Sequence, residues 1–201
     1  LLIAFHCNTP LSKYCFCSSL ELEENFDIIY YDRGNSYLVE VLTDKGKQFI
    51  GNYKKFFKKI NEKISEKDKK INCSIKIDTT NIESKLNKDW SELSKLCLSC
   101  SACTVLCPTC YCFETRDEIS PDLKTVTRLR TFSSCQLLSF TRTASGIVRK
   151  GRDSRFKHRL YHQFVFFKRE YGTNLCVGCG KCIAYCPAKI NWIKFLKKVE
   201  E

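Results

Sequence analysis

The sequence predicts an α+β fold: a small N-terminal α/β segment, residues 1–72, followed by a mostly helical, cysteine-rich domain, residues 73–201. Three observations carry this. Strand-length apolar runs are confined to the first half, apolar residues fall at helical intervals after Asn81, and most of the fifteen cysteines lie beyond residue 96. With 201 residues, 43% hydrophobic and 28% charged, the chain is long and apolar enough for a real core, which excludes a disordered or collagen-like protein. No apolar run approaches the ~18 to 20 residues that span a bilayer, and Leu1-Leu2-Ile3-Ala4-Phe5 is too short, without a basic flank, for a signal peptide. A soluble cytoplasmic chain with no membrane contact is expected. There is no Met, even at position 1, so the chain is expected to be a fragment.

Taken in order, Leu1 to Phe5, Phe26 to Tyr31 and Tyr37 to Leu42 have strand length and β-prone composition. Asp32-Arg33-Gly34-Asn35 accepts positive φ cheaply and predicts a hairpin between the second and third runs. From Asn52 to Lys70 a lysine-heavy stretch places Phe56, Phe57, Ile60 and Ile64 on one face, predicting an amphipathic helix with a solvated basic side. That reading is preferred over a nucleic-acid patch. Asp78-Thr79-Thr80-Asn81 offers caps for a helix from Ile82 to Leu96. After Pro121 the chain again reads as helical, most clearly from Arg152 to Glu170, where no Gly or Pro interrupts.

An odd and heavy thiol load without a secretory signal points to metal ligation rather than disulfides. Two runs, Cys97-x2-Cys100-x2-Cys103-x3-Cys107-Pro108 and Cys176-x2-Cys179-x2-Cys182-x3-Cys186-Pro187, share the spacing of two-cluster ferredoxins. Three close thiolates wrap three corners of one [4Fe-4S] cube, and the fourth is carried away to the other. The first cluster is thus assigned to Cys97, Cys100, Cys103 and Cys186, and the second to Cys176, Cys179, Cys182 and Cys107. Each proline steers the chain away after the last ligand. Gly178 and Gly180 would let backbone pass close to inorganic sulfide, where the first run has Ser99 and Ser101. All-cysteine zinc sites use similar pairs, but two complete runs ending in Cys-Pro favour iron and sulfur. The long interval between Cys107 and Cys176 favours an α-helical ferredoxin-like arrangement over a compact one.

The stretches Cys97-Leu-Ser-Cys-Ser-Ala-Cys-Thr-Val-Leu-Cys-Pro-Thr-Cys-Tyr-Cys112, Ser134-Cys135, Ser154 to His162 and Tyr171 to Cys182 resemble the iron–sulfur beta subunit of cytoplasmic sulfhydrogenase-type NiFe hydrogenases. They are also similar to the iron–sulfur electron-transfer subunit of anaerobic sulfite reductase. Cys15-Phe-Cys17-Ser, Phe26-Asp27 and Tyr37-Leu-Val-Glu-Val41 extend the resemblance over nearly the whole chain. That family normally has more sequence before Leu1. The resemblance implies an electron-transfer subunit with no catalysis of its own. It implies two partners, a flavin/NAD(P)-binding subunit plus a catalytic subunit. The catalytic one would most closely be a NiFe hydrogenase, and alternatively a siroheme sulfite reductase or a heterodisulfide reductase-like assembly.

Cys15, Cys17, Cys110, Cys112 and Cys135 are candidates for a third iron–sulfur cluster if the N-terminal segment folds back, and inert buried thiols are the bland alternative. Cys7 and Cys73 read as plain core or surface residues. His158 and His162, four apart on one helix, read as packing residues rather than metal ligands. Arg152, Arg155, Arg159 and His158 are expected against the clusters, offsetting their charge. No phosphate loop, nucleophile elbow or catalytic carboxylate pair is present, so neither flavin nor nicotinamide is expected on this chain. The rival from another class is a zinc-bearing nucleic-acid-binding module, motivated by the formal charge of +12.

Overall fold

The structure is a computed structural model that describes residues 1–20, 22, 25–69 and 71–197. In chain order the elements are β1 (Ile3–His6), β2 (Ile28–Asp32), β3 (Tyr37–Val41), α1 (Asp44–Asn52), α2 (Glu66–Lys69), α3 (Ile82–Leu86), α4 (Ser91–Leu96) and α5 (Ala102–Val105). They continue with β4 (Phe113–Ile119), β5 (Val126–Phe132), β6 (Arg142–Thr143), β7 (Gly146–Ile147), α6 (Arg152–Tyr161), a π-helical turn (His162–Phe166), α7 (Phe167–Tyr171), α8 (Lys181–Ala184) and α9 (Trp192–Lys197). Helix and strand are mixed, as an α+β chain requires. No helix among the described residues is long and apolar enough to cross a membrane.

The three predicted strands form one sheet in the order β1-β2-β3, with β1 parallel and β3 antiparallel to β2. The predicted hairpin is the β2–β3 turn, where Gly34 takes φ +84° and its amide donates to Asp32 Oδ1 at 2.7 Å. Ile29, Tyr31 and Leu38 form a small core on this sheet, joined by Ala4 and Ile64. The parallel β1–β2 pairing needs a crossover, and that crossover carries Cys7, Cys15 and Cys17.

Three local expectations give way. The amphipathic helix is α1, ahead of the lysine run: Thr43 caps it by accepting from Gly46 N, and after Asn52 there follow only a 3-10 turn (Lys54–Phe56), irregular chain and the short α2. Lys70 lies outside the described residues. The helix expected from Ile82 to Leu96 is two helices, α3 and α4. Between them Asp89 accepts from Ser91 N and Ser91 Oγ, a local side-chain bond that competes with continuing the helix. Finally, the interval after Cys112 is not helical at first. β4 and β5 form a seven-pair antiparallel hairpin on which only Leu129 is even half-buried. Its turn is closed by Ser120, which bonds Asp122 and Thr125.

The expected helix from Arg152 does run on, through α6, the π turn and α7. It is the spine of the main core. Phe156, Leu160, Phe164 and Val165 pack there with Ile82, Leu86, Trp90, Ile183, Ile190, Trp192 and Ile193. Phe16 and Leu20 from the N-terminal crossover enter the same core, Phe16 edge-on to Trp192.

Candidate functional site

The two cysteine runs take the same path. In each, a residue pair with left-handed backbone, Ser99 and Ser101 (φ 51° and 67°) or Gly178 and Gly180 (φ 66° and 69°), leads into one helical turn, α5 or α8. In each, the amide two residues after the first cysteine donates to its sulfur, Ser99 N to Cys97 Sγ and Gly178 N to Cys176 Sγ, both 3.4 Å. Successive left-handed and helical residues turn several amides toward one side, which suits an anionic group.

Two apolar cavities flank the spine helix. The first is lined by Cys97, Cys100, Cys103 and Cys186, with Cys182 also at its wall, and closed by Phe156, Leu160, Ile190 and Trp192. The second is lined by Cys107, Cys176, Cys179 and Cys182, with Phe16, Phe164 and Trp192. Each cavity thus takes three thiols from one run and at least one from the other. Arg159 reaches both. Its Nη2 donates to Cys103 O at 2.8 Å, while its Nε is buried with no hydrogen-bond partner among the described residues. Burial opposes its charge, while Cys182, Cys103, Cys107 and Cys176 around it favour the cation when they are ionised, as metal-bound thiolates are.

These thiols suit a metal-bound group. Burial pushes Cys103 up to about 11 and also raises Cys176 and Cys179, so they hold their protons until a cation replaces them. Among the described residues no three Cys, His, Asp or Glu side chains converge on a single ion. The thiols stand around spaces rather than points, and a multi-iron group fits that better than one zinc.

The other predicted residues separate. Arg152 Nη1 caps Cys97 O at 2.9 Å, but Arg155 is spent on the carbonyls of Gln136, Arg149 and Lys150 and lines neither cavity. His158 and His162 stack with ring centroids 6.0 Å apart, and His162 Nε2 is 3.0 Å from Tyr111 Oη; burial lowers His158 to about 4, so it packs as a neutral ring. The five further cysteines fall into two groups. Cys110, Cys112 and Cys135 interact with one another, while Cys15 and Cys17 line another cavity, where Cys17 faces a sixth cysteine, Cys73, with their sulfurs 3.6 Å apart. Cys73, read from sequence as a plain core or surface residue, is buried beside Cys17. Its position depends on a contact across 56 residues that no local spacing announces.

The remaining feature that sequence reasoning missed is the π turn. It leaves Gln163 O free to accept from Leu175 N and Cys176 N, at 3.0 and 3.3 Å. That bond ties the start of the second run to the spine, as wide helical turns often do at functional sites.

Residues 96–190 match the family described as 4Fe-4S dicluster domain. The chain is 33% identical, over 205 aligned positions, to sulfhydrogenase 2 subunit beta of Pyrococcus furiosus, an alignment covering 94% of this chain and 60% of that protein. The chain therefore spans about 60% of the length of the curated relative it matches. No solved structure matches it. The interlocked cysteine cavities and these likenesses agree: the chain is an iron–sulfur protein related to the beta subunit of sulfhydrogenase, with its dicluster region at residues 96–190.

Proposed function

We propose that this chain is an electron-transfer subunit with two [4Fe-4S] clusters, one held by Cys97, Cys100, Cys103 and Cys186 and the other by Cys176, Cys179, Cys182 and Cys107. The observation that carries this is the pair of cavities, each lined by one such set of four thiols. The clusters supply reversible one-electron chemistry when bound. The chain's own residues do the rest. Phe156, Leu160, Phe164 and Trp192 exclude water from both cavities, and Arg159 sets a fixed positive charge between them. Cys100 and Leu98 open the first cavity toward the surface, where a partner can approach. The chain relays electrons between a flavin/NAD(P)-binding partner and a catalytic subunit, in line with the sulfhydrogenase likeness, within a cytoplasmic hydrogenase.

The test is iron, zinc and acid-labile sulfide per chain on anaerobically purified protein, with low-temperature EPR after dithionite reduction. At least about eight irons with an equal amount of sulfide and coupled reduced-cluster signals are expected. One or two zincs with neither sulfide nor signal would sink the reading. Copurification from the native source then identifies the catalytic partner: nickel with the complex supports the hydrogenase assignment, and siroheme replaces it with sulfite reductase.

A further inference from the structure

We infer that Cys7, Cys15, Cys17 and Cys73 form a third metal site, holding a four-thiolate iron–sulfur cluster beside the second cavity. The inference deepens the electron-transfer reading and rests on it for the redox role.

The four residues come from three separate segments. Cys7 follows β1, Cys15 and Cys17 sit in the crossover to β2, and Cys73 lies in the chain after α2. Folding brings them together. Cys15 and Cys73 are buried at 5% exposure each, and Cys17 Sγ and Cys73 Sγ face each other at 3.6 Å. That is far beyond a disulfide bond, so the two are free thiols sharing one space. Cys7, Cys15 and Cys17 line a common cavity with Ile71, two residues from Cys73. The opposite wall of that cavity is the second cysteine run itself: Val177, Cys179 and Lys181.

The loop that presents Cys15 and Cys17 is fixed in place. Phe16 N donates to Gly178 O at 2.8 Å, Cys15 Sγ donates to Cys179 O at 3.5 Å, and Phe16 is buried in the main core. The surroundings are cationic, as a site of four thiolates needs. Lys181 lines the cavity, and Lys76 Nζ reaches Ser18 Oγ, next to Cys17, at 2.8 Å. Buried single thiols are usually inert packing. Three around one cavity, with a fourth from a distant part of the chain against Cys17, and with Lys181 at the cavity wall, are a ligand set. The other leftover group, Cys110, Cys112 and Cys135, supplies three thiols, one short of a four-thiolate set.

The shared wall places this site next to the second cavity, so a cluster here extends the relay toward the N-terminal sheet. Zinc also takes thiolate ligands, and the test separates the two. Iron, zinc and acid-labile sulfide are measured on the anaerobic full chain, alongside Cys17→Ser, Cys73→Ser and the control pair Cys110→Ser and Cys135→Ser. The expected result is about two or four irons above the eight of the two-cluster reading. The excess is lost in Cys17→Ser and in Cys73→Ser and kept in both controls. Should Cys17→Ser fail to fold and lose every iron, Cys7→Ser, outside the main core, reads the same difference. Eight irons in the unaltered chain, one zinc in place of the excess, or an excess lost only in the controls overturns this site and leaves the two-cluster reading standing. Near-zero iron overturns both.

Discussion

The two four-cysteine runs follow one backbone path with different residues, and the contrast separates two reasons for a glycine. Ser99 and Ser101 hold left-handed φ in the first run, which costs an L-residue roughly 1 to 2 kcal/mol each, and their hydroxyls are buried with no partner among the described residues. The first run tolerates this. In the second run Gly178 and Gly180 hold the same angles, but the space a Cβ would occupy is filled by backbone of Cys17 and Tyr14. The turn alone admits serine; the docked N-terminal loop does not. From sequence these glycines read as a close approach of backbone to sulfide, and the close approach the structure displays is to another part of the chain.

The largest test of that contrast is Gly180→Ala, which adds both strain and a collision with the Tyr14 backbone. A loss of about 3 kcal/mol is expected, from summed estimates for overpacking and a left-handed L-residue. It is read as the denaturant midpoint of the anaerobic protein at unchanged slope. An unaltered midpoint would erase the distinction between the runs, because the loop would then yield freely. Next in size is Arg159→Gln, which removes the cation common to both cavities. Both cluster potentials should fall, on the order of tens of millivolts, since a nearby positive charge favours the reduced, more negative form. A shift in only one signal would show that the runs do not share this charge. The smallest effect belongs to Ser101→Gly, which relieves strain and removes an unpaired hydroxyl at the expense of a floppier unfolded chain. A gain within about 1 kcal/mol is expected, and a clear loss would mean that the serine hydroxyl makes a bond in the loaded protein.

What sequence reasoning read well is what is local. The cysteine runs are legible because their spacing is covalent geometry, and the β2–β3 hairpin because Gly34 and its neighbours carry the turn chemistry within five residues. Where no pattern of burial marks an element, or where neighbours far along the chain decide, it failed. The β4–β5 hairpin, Phe-Glu-Thr-Arg-Asp-Glu-Ile paired with Val-Thr-Arg-Leu-Arg-Thr-Phe, is nearly all exposed, so no alternation of buried and exposed residues marks it. Its Thr and β-branched content was the available signal. Asp117 bonds Arg128 across the hairpin at 2.7 Å through both oxygens, a cross-strand pair visible only once the register is known. Likewise Arg155 and Arg159, four apart on α6, read as equivalent. Only the fold shows that one faces the Gln136 loop and the other the two cavities.

The exchange of one cysteine between the runs also orders events in time. Cys186 completes the wall of the first cavity and Cys107 that of the second. Neither wall is whole until Cys186 and the turn around it have left the ribosome. At roughly 5 to 20 residues per second, the nascent protein carries Cys97 to Cys107 for about 4 to 16 seconds before Cys186 is made. A complete four-thiol wall at the first cavity therefore waits for Cys186, and during that interval the first run's thiols depend on whatever shields them from oxidation and stray metal.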